Sequence, residues 1–165
     1  MRLLKCVGCD AQVIRHCKAV SQLAVKIAQK LRQRDIDIDQ VRIGALLHDI
    51  GRSQTHGVTH AYVGSKMLRD LGIPDPVVKI VERHIGAGIP SNEALDLGLP
   101  GKDYMPQTIE EKIVAYADKL VDGNRTISFE EACAQIADVL GFTHPAVSRF
   151  RMLHKELMGN EDRDL

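Results

Sequence analysis

Residues 41–51 read VRIGALLHDIG, and this stretch decides how the whole chain is interpreted. Its apolar residues recur at the spacing of an amphipathic helix, and His48 follows Val41 by seven positions, on the same face. The imidazole of His48 is therefore predicted to lie in the core, with the carboxylate of Asp49 beside it. Burying ionisable groups is costly unless they find partners or a ligand. The pair marks a candidate site at the end of this helix.

The rest of the chain shows the same helical periodicity, and no convincing strand alternation appears. Asp39 is a suitable N-cap for the helix that holds Val41, and Gly51 is expected to end that helix. Capping boxes open two later helices at Thr108 and Ser128. Further helices are predicted at about 13–31, at about 59–71, from Asp75 as N-cap with Pro76 at the first position, and from Pro145.

The Gly- and Pro-rich residues 86–107 are predicted to form one long loop. A loop of that length inside a compact domain is usually functional, and we expect it to be a lid or rim over the pocket. The overall prediction is an all-α fold in a single domain over residues 1–165. Its core lies at about 10–125, its C-terminal helices at about 128–158, and a frayed polar tail at 159–165.

Composition places the chain among ordinary globular proteins. The 165 residues are 44% hydrophobic, with 22 Lys and Arg against 22 Asp and Glu, which excludes a disordered or fibrous protein. A net charge of zero and 4% aromatic residues argue against general nucleic-acid binding. No apolar run reaches the roughly 20 residues of a membrane span, and the first residues are too short for the core of a signal peptide. We therefore expect a cytoplasmic protein that does not bind membranes.

Two groups of residues admit more than one interpretation. Cys6 and Cys9 have the spacing of half a zinc site, but no second pair completes it, and two reduced thiols are the favoured interpretation. The basic cluster at the end of the first helix could bind RNA, although cations near a helix C-terminus more often form a solvated face that suits the helix dipole. That cluster consists of Lys26, Lys30, Arg32 and Arg34.

Four other predicted helices also place an ionisable residue on their apolar stripe, namely His16, His60, His84 and Asp118. One such residue is usually a satisfied core group, but five helices doing so together are hard to explain separately. A divalent metal would satisfy all of them, and imidazole mixed with carboxylate suits Fe, Mn, Zn or Ni better than Ca. We predict that these helices converge on a metal.

In this order, His16, the tetrapeptide His48-Asp49-Ile50-Gly51 and Asp118 resemble the HD superfamily of metal-dependent phosphohydrolases, which is named for the adjacent His-Asp pair. The resemblance covers residues 10–125. The whole chain looks most like small, stand-alone, archaeal-type members of undefined substrate.

Three details refine this resemblance. The segments THAYVG at 59–64 and ERH at 82–84 are similar to those of the subset that binds two metals. Asn124-Arg125 after Asp118 is similar to a segment of bacterial hydrolases that cleave diadenosine tetraphosphate. Arg52 departs from the family pattern, because many relatives have Lys after the tetrapeptide.

The resemblance implies a compact multi-helix bundle that binds one or two divalent transition metals per chain. A first metal would be held by His16, His48, Asp49 and Asp118, and a second by His60 and His84, with Asp49 bridging the two.

The resemblance also implies that His48 and Asp49 serve catalysis through the metal, which turns a bound water into a hydroxide that attacks phosphorus. Arg52 is the best candidate for an added phosphate contact, although it could equally be a residue that merely ends a helix. Lys119 and Arg125 are weaker candidates of the same kind. His56 is expected to contact substrate or support the ligands, and the remaining histidines, His144 and His154, are expected at the surface.

The function that follows is hydrolysis of a phosphate ester or anhydride, with a nucleotide as the expected substrate. The alternative is a regulatory module that binds a nucleotide or metal without turnover. A third reading is an oxygenase, since some di-iron HD proteins activate dioxygen, but nothing in the sequence favours it. The expected partner is a small phosphorylated molecule, and a homodimer is left open.

Overall fold

The longest helix, α2 (Ala11–Lys30), packs against two later helices, α3 (Ile38–Leu47) and α7 (Ile109–Lys119), in the computed structural model. The structure describes residues 1–31 and 35–159. Its other elements are α1 (Arg2–Cys6), a 3₁₀ helix (Ile50–Ser53), α4 (His60–Asp70), α5 (Asp75–Arg83), α6 (Ser91–Asp96), α8 (Phe129–Leu140) and α9 (Pro145–Met158), with an antiparallel hairpin of β1 (Val121–Asp122) and β2 (Arg125–Thr126). The predicted all-α class is confirmed.

Local capping chemistry explains where most of the helices begin. The side chain of Asp10 accepts hydrogen bonds from two backbone N–H groups at the start of α2, and Thr108 and Ser128 each accept one at the start of α7 and α8. The prediction of Asp39 as the cap of α3 was wrong, because Asp37 accepts the bond from Gln40 N at 2.9 Å. Asp39 lies in the first turn instead, where its charge suits the helix dipole.

The apolar side chains form two principal clusters with the candidate site near where they meet. The larger one fills the space between α2, α3, α7, α8 and α9, and includes the fully buried Phe150 and Tyr116. The smaller one joins α1 and the 3₁₀ helix to α4 and α5 through Leu4, Ile50 and Leu68. α3 and α5 pack against each other and connect the two clusters.

Gly51 does not end α3, as the sequence had suggested, because α3 already ends at Leu47 and Gly51 lies inside the 3₁₀ helix. Its role is close approach to α4. A Cβ at this position would lie 2.0 Å from the carbonyl oxygen of His60 and 2.7 Å from the backbone nitrogen of Gly64. Only glycine allows the two backbones to come this near.

Residues 86–107 are not one long loop, since they contain α6 and a small apolar cluster of their own. Several contacts hold the segment against the rest of the molecule. Tyr104 N donates to Ile89 O at 2.9 Å, Lys102 Nζ lies 2.8 Å from Glu82 Oε1, and Arg149 of α9 makes a two-pronged ion pair with Glu93 at 2.7 and 2.8 Å.

Besides α6 and the 3₁₀ helix, α1 and the β-hairpin were also not predicted, since all of these elements are too short for a periodic signal. In the described part of the chain, no helix is both long enough and apolar enough to cross a membrane. Two predictions lie outside the described residues: the basic cluster's Arg32 and Arg34, and the frayed tail beyond residue 159.

Candidate metal centre

Six side chains from five helical regions meet beside α3. His16 comes from α2, His48 and Asp49 follow the last turn of α3, His60 begins α4, His84 follows α5 and Asp118 lies near the end of α7. All except the half-buried His16 are buried. The structure therefore brings together every residue for which the sequence predicted metal binding.

The orientation of three imidazoles is set by backbone carbonyl groups three residues earlier in the chain. His48, His60 and His84 each lie 2.7 Å through Nδ1 from a carbonyl oxygen three residues earlier, those of Ala45, Gly57 and Val81. A carbonyl oxygen only accepts hydrogen bonds, so Nδ1 carries a proton on each ring and Nε2 points into the cluster. Such backbone contacts are the usual means by which proteins fix a metal-binding histidine.

His16 is fixed differently, by a residue far along the chain. Its Nδ1 donates to the carbonyl oxygen of Gly123 at 2.9 Å, in the turn of the β-hairpin, where Gly123 has a φ of +61°. This contact was not predicted from the sequence. The Asp122-Gly123 pair, a common hairpin signal, was the available clue.

The first half of the cluster is built around Asp118. Its Oδ1 lies 3.0 Å from His16 Nε2 and 3.3 Å from His48 Nε2, while Lys119 Nζ lies 3.2 Å from its other oxygen. The donor atoms of His16, His48 and Asp118 lie within 4.8 Å of one another, close enough to hold one ion.

The second half is built around Asp49, whose two oxygens face different neighbours. Oδ1 lies 2.9 Å from His60 Nε2 and 3.7 Å from His84 Nε2. Oδ2 lies 2.7 Å from Arg52 Nε and 3.7 Å from His48 Nε2. His48, Asp49 and His84 form a second group with donor atoms within 4.8 Å. Asp49 and His48 therefore connect the two halves.

The electrostatics keep both carboxylates ionised. Burial opposes the charge of Asp49, but the neighbouring imidazoles, His48 first, outweigh it and hold its pKa well below the ordinary value. Burial likewise opposes the charge of Asp118, but Lys119, His16 and His48 bring its pKa well below the ordinary value.

The histidines differ from one another in protonation. Burial is the main cause that lowers the pKa of His84 to about 4, so this imidazole is neutral near pH 7. Burial also lowers the pKa of His48, but the charge of Asp49, with help from Cys17 and Asp118, raises it well above the ordinary value. A metal ion entering the cluster would therefore compete with a proton on His48.

Two buried nitrogen and oxygen atoms of the cluster lack a well-directed hydrogen bond, which fits the binding of a divalent cation. His48 Nε2 and Asp49 Oδ1 are buried without a well-directed hydrogen bond, although carboxylate and imidazole atoms lie near both. His60 Nε2 and His84 Nε2 face each other at 3.1 Å, and with Nδ1 protonated on both, two lone pairs meet. A cation between such donors relieves both problems, and nitrogen with carboxylate oxygen is a donor set that suits Fe, Mn, Zn or Ni.

A cavity of about 330 Å³ opens onto the cluster. Arg52, one-third exposed, lies at its side, and its Nη1 contacts the carbonyl oxygen of His56 at 3.4 Å. The lining residues are Asp10, Gln12, Val13, His16, Asp49, Arg52, His56 and Gly123. None of the residues between 86 and 107, all of which are described, is among them, so the expected lid over the cavity is not found.

The remaining candidates lie apart from the cavity or have structural partners. Arg125 is exposed and pairs with Glu131 at 2.7 Å. His144 caps α9, and His154 is half-buried rather than at the surface, stacked on Phe129 with ring centroids 3.8 Å apart.

The N-terminal cysteines do not form a metal site. Cys6 is an exposed free thiol, and the buried Cys9 contacts Ile50 O at 3.6 Å. Among the described residues, the groups that could hold an ion contain histidines and aspartates and neither of these cysteines.

Comparison with known proteins gives a consistent assignment. The profile of the HD domain family matches residues 13–122. An uncharacterized protein of Methanocaldococcus jannaschii is 45% identical over 151 residues, which cover 90% of this chain and 89% of that protein.

A tRNA (cytidine(56)-2'-O)-methyltransferase of Picrophilus torridus is 44% identical over 165 residues, but the chain spans only 47% of its length. Among solved structures, the HD domain of the phosphodiesterase PgpH from L. monocytogenes, in complex with cyclic-di-AMP, superimposes with a TM-score of 0.59, 18% identity and coverage of 100% of this chain and 99% of that one. At this identity the likeness concerns the fold alone.

Proposed function

The chain belongs to the HD domain family, and from that premise we propose that it is a metal-dependent phosphohydrolase acting on a phosphate ester or anhydride of a nucleotide. The observation that carries the proposal is the convergence of six nitrogen and oxygen donors on one buried cluster, beside a cavity with a guanidinium at its side. A structural role alone does not account for buried donor atoms that lack directed hydrogen bonds.

In this proposal His16, His48, Asp49 and Asp118 hold a first metal, and His60 and His84 hold a second, with Asp49 shared between them. The distances of 2.9 to 3.7 Å among these donors support the arrangement. The metal would be Fe, Mn, Zn or Ni. When bound, it would supply a hydroxide from water near neutral pH and offset the charge that develops on the phosphoryl oxygens.

The protein's own residues would position this chemistry. The backbone carbonyls behind the four imidazoles keep each Nε2 aimed inward. Arg52 would bind a phosphate oxygen through Nη2 while its Nε holds Asp49 and its Nη1 contacts His56 O. His56 is exposed at the rim of the cavity, where it would contact the leaving group of the substrate.

The size of the cavity supports a small substrate. At about 330 Å³ it lies at the lower end of the range for small-molecule sites. A nucleotide phosphate would fill it, with the base left outside.

A second candidate is a role linked to RNA, with or without catalysis. The observation that favours it is the relative from Picrophilus torridus, in which a sequence similar to this whole chain occupies about half of a protein named as a tRNA methyltransferase.

The test is metal analysis combined with a substrate screen. We expect purified protein to bind one or two equivalents of Mn or Fe and to release phosphate from some nucleoside mono-, di- or polyphosphate. His48→Ala and Asp49→Ala should abolish both metal binding and turnover, because each removes a donor shared by the two halves. His144→Asn is the matched control, since it changes a histidine outside the cluster and keeps a side chain that can cap α9.

Folded His48→Ala and Asp49→Ala proteins that retain full activity would refute the proposed centre. Metal binding without turnover of any nucleotide would instead support the regulatory alternative.

A further inference from the structure

The neutral net charge of the chain hides a strong asymmetry. The first 34 residues contain eight Lys and Arg but one acidic residue, Asp10, whereas the remaining 131 contain 14 Lys and Arg against 21 Asp and Glu. The two parts therefore carry about +7 and −7 at neutral pH. Asymmetry of this kind indicates a polyanion partner for the basic part.

The basic charge is concentrated on the outer face of α2, a 20-residue helix without an acidic residue. Arg15, Lys18 and Lys26 are exposed, and Gln22 lies between them on the same stripe. Within residues 1–31 and 35–159, no carboxylate forms an ion pair with these three cations. An unpaired row of cations binds phosphates better than one whose charge is already neutralised.

A groove of about 670 Å³ runs between this stripe and α3. Arg42 stands on the α3 side, where it pairs with Asp39, and Leu46 and Val25 provide an apolar floor. The lining residues are Met1, Lys18, Ser21, Gln22, Val25, Lys26, Arg42 and Leu46. The unpaired cations Lys18 and Lys26 on the α2 wall of an open groove fit a linear polyanion.

The groove and the cavity of the candidate metal centre share no lining residue and lie on different faces of α2. Gln12 and His16, in the first turns of the helix, line the cavity of that centre, and Lys18 and Lys26 line the groove farther along. From His16 to Lys26 the helix rises about 15 Å. The groove is therefore a surface separate from the metal centre.

We propose that the groove between α2 and α3 binds the sugar-phosphate backbone of RNA. The lining residues include no aromatic side chain, so recognition uses phosphates and riboses rather than stacked bases. Gln22, an amide between two cations, is placed to bond a ribose 2′-hydroxyl, the group that distinguishes RNA from DNA. This binding does not depend on the function proposed above.

The experiment measures binding of a fluorescently labelled single-stranded RNA to the full chain in the presence of EDTA, which prevents metal-dependent cleavage. With three to four phosphate contacts, log K should fall with log salt at a slope of about −2 to −3. Lys18→Gln/Lys26→Gln should weaken binding at least tenfold and make the slope shallower by about 1.4, since each lost contact contributes about 0.7.

The matched control is Lys66→Gln/Lys155→Gln, which removes the same charge from exposed positions on α4 and α9. It should leave RNA affinity within twofold of the unaltered protein. Melting curves of both double variants confirm that they are folded.

Unchanged RNA binding in folded Lys18→Gln/Lys26→Gln refutes the proposal, as does equal loss in the control. Equal affinity for DNA of the same sequence refutes the assignment to RNA. Binding to phosphatidylserine vesicles but not to RNA shows a membrane-facing groove instead.

Hydrolysis of the small diester bis-p-nitrophenyl phosphate by the metal-loaded protein is the separate readout for the proposed function. It should be unchanged in Lys18→Gln/Lys26→Gln. Its absence from every protein, together with no turnover in the nucleotide screen, would refute the catalytic proposal while leaving RNA binding in place.

Discussion

Replacing Gly51 with alanine should damage the metal centre without touching any proposed ligand. The added Cβ would lie 2.0 Å from His60 O and 2.7 Å from Gly64 N, and both are backbone atoms that cannot rotate away. Real Cβ atoms essentially never approach another atom within 3.0 Å, so the 3₁₀ helix must move away from α4 by about 1 Å.

The displacement acts on the contact between Asp49 and His60, which are 2.9 Å apart and sit on the two elements that must separate. Overpacking of this kind costs about 2–3 kcal/mol of unfolding free energy. For a chain of 165 residues that corresponds to a melting temperature lower by about 4–12 °C. Disturbing a ligand's support typically weakens metal binding about 10- to 100-fold.

Gly57→Ala is the control. Gly57 lies in the same region, its φ is not in the left-handed range, and the nearest heavy atom to an added Cβ is Thr59 Oγ1 at 4.0 Å. Thermal melts and Mn titrations of the three proteins provide the comparison. If Gly51→Ala melts and binds metal like Gly57→Ala, close backbone approach does not explain this glycine.

Two further predictions concern side chains outside the centre. Glu93→Gln should lower the unfolding free energy by at most about 1 kcal/mol at pH 7, since the ion pair with Arg149 is partly exposed. Because Arg149 holds the pKa of Glu93 below its ordinary value, this stabilisation is present above the unfolded-state pKa of about 4.3 and is lost as pH falls through the lower folded-state pKa. Denaturant unfolding at neutral and acidic pH should therefore show the two proteins converging in acid, while Asp96→Asn, a nearby exposed carboxylate, shows no such difference. Tyr104→Phe should leave stability unchanged or increase it, because the Tyr104 hydroxyl is buried without a hydrogen-bond partner within the described residues. Tyr116→Phe should lose about 1 kcal/mol, because its hydroxyl lies 2.6 Å from His154 Nδ1; a larger loss for Tyr104→Phe than for Tyr116→Phe would contradict this reasoning.

Local chemistry made most helix positions predictable. Thr108 and Ser128 act as N-caps where the capping pattern indicated, because a cap depends on residues within one turn. The prediction of Asp39 as the cap of α3 was wrong, since an aspartate can cap from either position and Asp37 takes that place in the structure. α6 was missed because its six residues lie among Gly and Pro. Part of its support is the Glu93–Arg149 pair, whose partner lies 56 residues away.

The inward direction of His48 and Asp118 follows from sequence by itself, because a 3.6-residue period places them on the stripe that must be buried. The same reasoning made convergence on a metal a natural prediction. Helical periodicity carries no information about the distances between helices. Those distances divide the donor atoms of the centre into two overlapping groups, so the sequence could not predict this division.

Sequence alone thus determined the fold class, most of the helices and the residue types that face the core. Only the tertiary structure shows that Gly51 lets the backbone beside Asp49 approach α4 closely. It also shows that the carbonyl of Gly123, 107 residues away in sequence, orients His16, and that the basic stripe of α2 borders a groove. The physical reason is that helical periodicity and capping act within a few residues. Contacts between elements depend instead on how side chains remote in sequence pack against one another.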